Sequence, residues 1–302
     1  MKNKIVIFLS LSAACVSSQN YVDILKLNAN TTPANTFDTS ASKTTVKEIG
    51  ADLTVPFKIN HKFSLITGLI YENIQTKLFA EGNTMTFGSS TLKIGTNIKF
   101  NETWSATAVL LPKFASDYVS FGAKDFQMGG IAIAKYKKRD DLVYKFGLYY
   151  NTELFGPFFV PMAGLYYLSE NKKFETNLML PLQADVNYQF IPFVHAGVNF
   201  NGQIRTYHLN GMSPQHPGTY VARCSNEFFL YLKFNLSKSL SLQTKVGRSF
   251  GRSYRVYDEN DRVSFGLPAT FIGHKRQQLN SDFSDGLLFQ FSLLYRFNLD
   301  KS

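Results

Sequence analysis

The sequence predicts an all-β fold: a transmembrane antiparallel up-and-down β-barrel of about 14 strands, one domain behind a cleaved signal peptide. Three observations point there. Composition mixes apolar and polar residues without concentrating either: of 302 residues 44% are hydrophobic, 15% aromatic and 18% charged, and mean hydropathy is −0.12. Soluble domains carry about 25% charged residues, disordered chains lack aromatics, and a bundle of membrane helices needs long apolar runs that do not occur after Gln19. Hydrophobicity alternates with a period of two along most of the chain, and short polar turns largely alternate with longer connections, as they do in outer-membrane barrels.

The elements follow in order. Met1 to Gln19 has two lysines, an apolar stretch from Ile5 to Val16 and then small residues, the layout of a secretory signal peptide. Val16 and Ser18 take the positions before the cut, which divides residues 1–18 from a barrel of residues 19–302. The competing reading is a lipoprotein signal ending at Cys15, for which Ser12 is a poor fit. Beyond the cut, Ile49, Ala51, Leu53, Val55 and Phe57 alternate with Glu48, Gly50, Asp52 and Thr54. Leu92, Ile94, Thr96, Ile98 and Phe100 alternate with Lys93, Gly95, Asn97 and Lys99, and Leu142 to Tyr150 alternate with Lys145, Gly147, Tyr149 and Asn151. Leu182, Ala184, Val186 and Tyr188 alternate with Gln183, Asp185, Asn187 and Gln189; Phe228 to Leu236 alternate with Phe229, Tyr231, Lys233 and Asn235. The closing strand places Leu287, Phe289, Phe291, Leu293, Tyr295, Phe297 and Leu299 on one face against Leu288, Gln290, Ser292, Leu294, Arg296 and Asn298 on the other, which is mostly polar. Such a strand fits an apolar surround outside and a polar lumen inside.

Short turns are expected around Asn60-His61-Lys62, Asn101-Glu102-Thr103, Lys138-Arg139-Asp140-Asp141, Asn171-Lys172-Lys173 and Ser237-Lys238-Ser239, with the longest connection from Arg255 to Asp285. The strand number turns on Phe174 to Phe190. A hairpin folded at Leu180-Pro181-Leu182 gives about 14 strands and puts both chain ends on one side; about 12 is the alternative. Proline suits the turn better than a paired strand.

The run Gly156-Pro157-Phe158-Phe159-Val160-Pro161, with Gly164, Tyr166, Tyr167, Leu180-Pro181 and Tyr188, Pro112 and Ser116-Asp117 upstream and the aromatic closing strand, resembles a bacterial family of outer-membrane barrels catalogued as a domain of unknown function. The resemblance implies the fold and a place in the outer membrane and carries no catalytic residue with it.

The polar faces nominate a lumen lining of Glu48, Asp52, Lys93, Lys99, Lys145, Asp185, His195, Lys233, Lys245 and Arg296. Two readings stand: a narrow, slightly anion-preferring pore or binding barrel for small polar solutes, or charges that pair across the axis and close a structural or anchoring barrel, with Arg255 to Asp285 as its natural plug if it folds inward. In VGRSFGRSY, Arg248 and Arg252 share the parity of the lipid-facing Leu240 and Leu242. That parity sets both at the outer rim, as a fork for lipopolysaccharide phosphates or as a solvated edge.

Other functions leave little trace. The net charge of +10 falls to +8 without Lys2 and Lys4 and forms no basic arm, so nucleic acid is not an expected partner. The five histidines, His61, His195, His208, His216 and His274, show no metalloprotease or triad pattern, leaving an outer-membrane hydrolase as the least favoured reading. No cofactor or metal is implied, Asp258, Glu259 and Asp261 lacking the spacing of a calcium loop. Cys224 reads as a packed or rim thiol without a disulfide partner in the mature chain. The expected partners are the bilayer, lipopolysaccharide, and the barrel-assembly machinery, addressed through Phe297 and Leu299; a monomer is sufficient.

Overall fold

A computed structural model describes residues 21–210, 218–268, 270–273 and 275–298. The signal segment with Cys15, as well as His216, His274 and Leu299, lies outside the described residues. Fourteen strands form the wall: β1 (Tyr21–Thr31), β4 (Lys47–Lys58), β5 (Phe63–Lys77), β6 (Thr84–Lys99), β7 (Trp104–Ser116), β8 (Phe126–Arg139), β9 (Leu142–Glu153), β10 (Gly156–Leu168), β11 (Phe174–Met179), β12 (Gln183–Ile191), β13 (Val194–Leu209), β14 (Thr219–Asn235), β15 (Leu240–Asp258) and β18 (Leu287–Asn298). Four short strands lie in connections: β2 (Asn35–Thr36) pairs with β3 (Lys43–Thr44), while β16 (Phe265–Leu267), paired with β17 (Thr270–Ile272), joins the main sheet at the edge of β10, where Gly266 lies opposite Phe158. Each wall strand pairs antiparallel with its neighbours in sequence, β1 pairs with β18, and β10 with β11, so the sheet closes. Closure leaves no free edge, the condition for backbone polar groups in an apolar surround.

The alternation places the side chains. Leu53, Leu69, Ile94, Leu110, Leu148, Val198, Leu230 and Phe291 point outward and are exposed, whereas their chain neighbours turn into the lumen. Two aromatic bands bound the outward face. Near the tight turns stand Trp104, Tyr136 and Tyr144, with centroids 4.9 and 6.4 Å apart, and Tyr188 with Phe190. Toward the other end stand Tyr150, Phe159 and Phe265, and the row Phe200, Phe228 and Phe250. An apolar belt between two aromatic girdles is the outward layout of transmembrane barrels.

The two ends differ. At the turn end the chain reverses within a few residues; in the turn at residues 140–141, Arg139 donates two hydrogen bonds to Asp141 and holds its carboxyl below the usual range. Tyr21 and Asn298 pair here, so both ends of the described wall lie on this side. The opposite, loop end is uneven. β9 and β10 meet through only two residues, 154–155, a turn completed by Gly156 at φ 130°, where a Cβ would strike the Val263 carbonyl. β11 and β12 meet across Leu180-Pro181-Leu182, the hairpin expected from the proline. β5, β6, β13, β14 and β15 reach 15 to 19 residues, well beyond the about 9 to 11 that cross a bilayer.

Above the short β11–β12 hairpin, β13 leaves the wall and bends inward. Its tip meets β7, far round the barrel, where His208 pairs with Ser116 and the Asp117 N–H donates to the His208 carbonyl at 3.0 Å. The bent segment divides the loop end into two apolar cores. One face carries Tyr207 and Leu209, with Val221, Tyr254 and Val256, against Ile74, Leu78, Phe87 and Ala115. The other carries Ile204, with Ala222 and Tyr220, against Phe158, Val160 and Met162 of β10. The long connection after β15 covers this end: Phe283 stacks on Tyr254 at 5.5 Å, and Leu279 hydrogen-bonds the Val256 carbonyl.

Candidate functional site: a polar chamber beneath a closed loop end

Of the ten nominated lining residues, Glu48 and Asp52 line the cavity described below, and the other eight lie elsewhere on the barrel. Lys93 is ion-paired with Asp52 and donates to Thr54 at 2.7 Å. Lys145 donates to Asn177 at 2.6 Å and Lys245 to Asn199 at 2.9 Å. Asp185 accepts from Tyr231 at 2.9 Å; the His195 ring contacts Asn235 at 3.0 Å, with Lys233 paired opposite His195. Lys99 lies at the turn end, paired with Glu102. Arg296 grips Asp23 with two hydrogen bonds and lies over the Tyr21 ring, while the Tyr21 hydroxyl reaches across the lumen to Glu175 at 2.8 Å. The turn end is thus crossed by one polar bridge.

A second, denser bridge crosses the loop end and uses only one nominated residue, Glu48. Arg223, 2% exposed, donates to Glu48 at 2.7 Å and to Glu72 at 3.1 Å, with Glu227 at 3.6 Å. Glu72 also takes Arg205 and the Tyr207 hydroxyl. Glu48 and Glu72 stand on β4 and β5, and the cations on β13 and β14, with at least three strands between the two groups the shorter way round. The other face of the bent β13 is held as firmly. Glu153 of β9 accepts from the Thr206 amide at 2.8 Å and its hydroxyl at 2.5 Å, Gln127 donates to the Thr206 carbonyl at 3.0 Å, and Lys113 approaches Glu153 at 3.4 Å. Buried charges persist only when paired and hydrogen-bonded, and the bend supplies both conditions on both faces.

Glu72, Glu153, Arg205, Tyr207 and Arg223 are functional candidates that the sequence reading did not collect. A signal existed. Arg205 and Tyr207 continue the inward parity of His195 and Asn199, and Arg223 that of Tyr231 and Phe229. Extending the alternation past membrane length would have found them.

Arg252 requires a correction. Shared outward parity with Arg248 was expected, but the register shifts between Cys224 and Asn226, and Gly251, at φ 63°, sits in the slipped segment of β15. The slip reverses the face of every later residue. Arg252 turns inward, 4% exposed, and donates to Asn35 and to the Ser284 carbonyl, each at 2.9 Å, which removes it from the rim. Arg248 precedes the slip and stays exposed on the outward face.

Against the loop-end bridge, on its turn-end side, lies a cavity of about 350 Å³. Lys26, Asn28, Glu48, Asp52, Glu72 and Gln290 line it from one wall, and Gln183, Asn201, Gln203 and Arg205 from the other, with Tyr149, Phe158, Leu182 and Ile204 alongside. Most of its charges are already paired, so its uncommitted chemistry is dominated by side-chain amides. A space of this size suits a small molecule.

The described residues contain no cluster of His, Cys, Asp or Glu with metal-holding geometry, and no helix long and apolar enough to cross a membrane. His208 bonds Asp125 at 2.7 Å through Nδ1, with Glu259 at 3.8 Å from Nε2. This contact clasps the β13 tip to the β7–β8 connection.

Residues 28–266 match the model of a family described as Domain of unknown function (DUF6268). No curated protein matches the chain. Among solved structures, the chain is similar to the COG4313 outer membrane channel from Pseudomonas putida F1, at 8% identity and TM-score 0.46, over 90% of this chain and 93% of that one. It is also similar to the P. putida toluene transporter TodX, at 10% identity and TM-score 0.39, over 92% and 90% of the two chains. The NanC porin follows, at 9% identity and TM-score 0.35, over 90% and 98%.

Proposed function

The chain belongs to the DUF6268 family, and from that premise we propose that it is a bacterial outer-membrane barrel that binds and passes small polar solutes, with its turn end toward the periplasm. The observation that carries this reading is the polar chamber of about 350 Å³ set against a cross-lumen ion-pair bridge. A barrel that served only as an anchor has no need of uncommitted amides around a hollow, whereas a binding barrel does. In the present conformation the loop end is shut, and Arg223 with Arg205 holds it so. Solute passage then requires the bent β13 to release Glu48 and Glu72, exchanging protein–protein for protein–solute hydrogen bonds. The exposure of Arg248 on the outward face supports a contact between its guanidinium and a lipopolysaccharide phosphate as part of the same proposal.

Planar bilayers test the reading. The wild-type barrel is expected to show small, infrequent conductance steps, and the double variant Arg205→Gln with Arg223→Gln steps at least severalfold larger or more frequent. Absence of conductance from both, with both shown to be folded by heat-dependent gel mobility, would establish the anchoring alternative.

A further inference from the structure

The chamber beneath the loop-end bridge has two unlike sides. One is built from amides. Asn28 of β1, Gln183 of β12 and Gln203 of β13 line it with side-chain amides that have no hydrogen-bond partner among the described residues. Gln290 of β18 and Asn201 of β13 each add a side-chain oxygen, their amide nitrogens being taken by Ser292 and Asn199, both at 3.0 Å. Room is kept for the first of these groups: Gly50 stands opposite Asn28, and a Cβ there would come 2.6 Å from Asn28 Nδ2. The other side is apolar. Tyr149, Phe158, Leu182 and Ile204, which pack in the second core, also line the hollow.

Charge is present in the chamber but already spent. Glu48, Glu72 and Glu227 converge on Arg223, and Glu72 also holds Arg205. Asp52 is ion-paired with Lys93 and stands opposite Lys26 across the β1–β4 pair. The carboxylates Glu48, Asp52, Glu72 and Glu227 are thus matched in number by Lys26, Lys93, Arg205 and Arg223. A charged solute has to break into one of these pairs to find a counter-charge, and an ion buried without one is costly. A hydroxyl group both donates and accepts, as an amide does, so a neutral solute rich in hydroxyls satisfies the amide side and leaves the bridge intact. The apolar side adds a second demand, a C–H face that gains by leaving water. At about 350 Å³ the hollow lies at the small end of ligand sites, the scale of a single ring.

We propose that the chamber is a binding site for an uncharged sugar ring, whose hydroxyl edge meets Asn28, Gln203 and Gln290 and whose C–H face lies against Tyr149 and Phe158. The assignment rests on the chamber being a binding space for polar solutes, and the test separates the two. In a Cys15→Ser, Cys224→Ser background, Ile70→Cys places a single thiol in the chamber wall at a position that supplies no amide. The barrel in detergent is treated with N-ethylmaleimide, a small neutral reagent, in mildly acidic buffer where glucosamine is a cation. Labelling is followed alone and with glucose, galactose, xylose, glucuronate or glucosamine, each rate being divided by the sugar-free rate of the same variant.

At least one of the three neutral sugars is expected to slow labelling severalfold, and the two charged ones to slow it far less. Asn28→Ala and Gln290→Ala, made separately, should each raise the concentration for half protection by roughly threefold to tenfold, the worth of one hydrogen bond. Protection by a charged sugar equal to that by the neutral ones, labelling that no sugar slows, or protection unchanged in both alanine variants overturns the sugar assignment and leaves the chamber standing. Failure of the reagent to label at all, with fold verified by heat-dependent gel mobility, overturns the chamber as a space for small solutes and the assignment with it.

Discussion

The lower and upper halves of β13 are one continuous strand under two different rules. From Val194 to Asn201 it is a wall strand: Val198 is 48% exposed outward, and Asn199, beside it, is buried toward the lumen. From Gln203 to Leu209 it is a crosspiece, with Thr206 and Tyr207, on opposite faces, both at 0%. The lower half has strands on both edges, whereas the upper half lacks β12 and takes Glu72 and Glu153 as partners instead. A period-two pattern is therefore a statement about two faces; what each face meets depends on whether the neighbouring strand is still present.

Substitutions that break this contrast rank by what they leave stranded. Arg223→Ala leaves Glu48 and Glu72 buried with reduced compensation, and removal of one partner from a buried ion pair costs about 3–5 kcal/mol; urea unfolding in detergent should show the largest loss of all single variants, and Arg223→Lys should recover part of it. Charge on the outward face tests the lower half. Val198→Arg should cost about 2–4 kcal/mol if the position lies near the bilayer midplane, measured by folding into lipid vesicles. Thr206→Val tests the upper half at the same even parity, where a methyl replaces a hydroxyl bonded to Glu153. Its expected cost is about 1–3 kcal/mol, with faster proteolysis of residues 117–125 as the accompanying readout. The smallest effect separates the two arginines of the repeat. Arg252→Gln, losing buried hydrogen bonds, should lower stability measurably, while Arg248→Gln should stay within about 0.5 kcal/mol and act only on lipopolysaccharide binding.

How far the sequence could be read follows from the same contrast. Strand faces and the Pro181 hairpin need only alternation and a proline, and both are local. The bridge needs more: Arg205 and Glu72 are 133 positions apart, and nothing near either announces the other. The inward bend arises because the β11–β12 hairpin is short, a fact about a neighbour. Arg252 was misplaced because one slip in register reverses all later parity, and glycine at position 251 was the sole local hint. The long connection, expected from Arg255, begins only after β15 ends at Asp258, and which side chains it lends to the core, Leu279 and Phe283, depends on meeting Tyr254 and Val256.

The separation along the chain of the residues that form the loop-end bridge bears on the order in which the molecule assembles. Neighbouring wall strands form hairpins between segments adjacent in sequence, but Glu48 and Arg223 are 175 positions apart. Contacts so distant carry a large loop-closure cost and form slowly, and these cannot align until β14 has been laid beside β13. Most of the wall is thus laid down by short-range hairpins, whereas the bridge, like the β1–β18 closure that pairs Tyr21 with Asn298, waits on parts of the chain that are far apart.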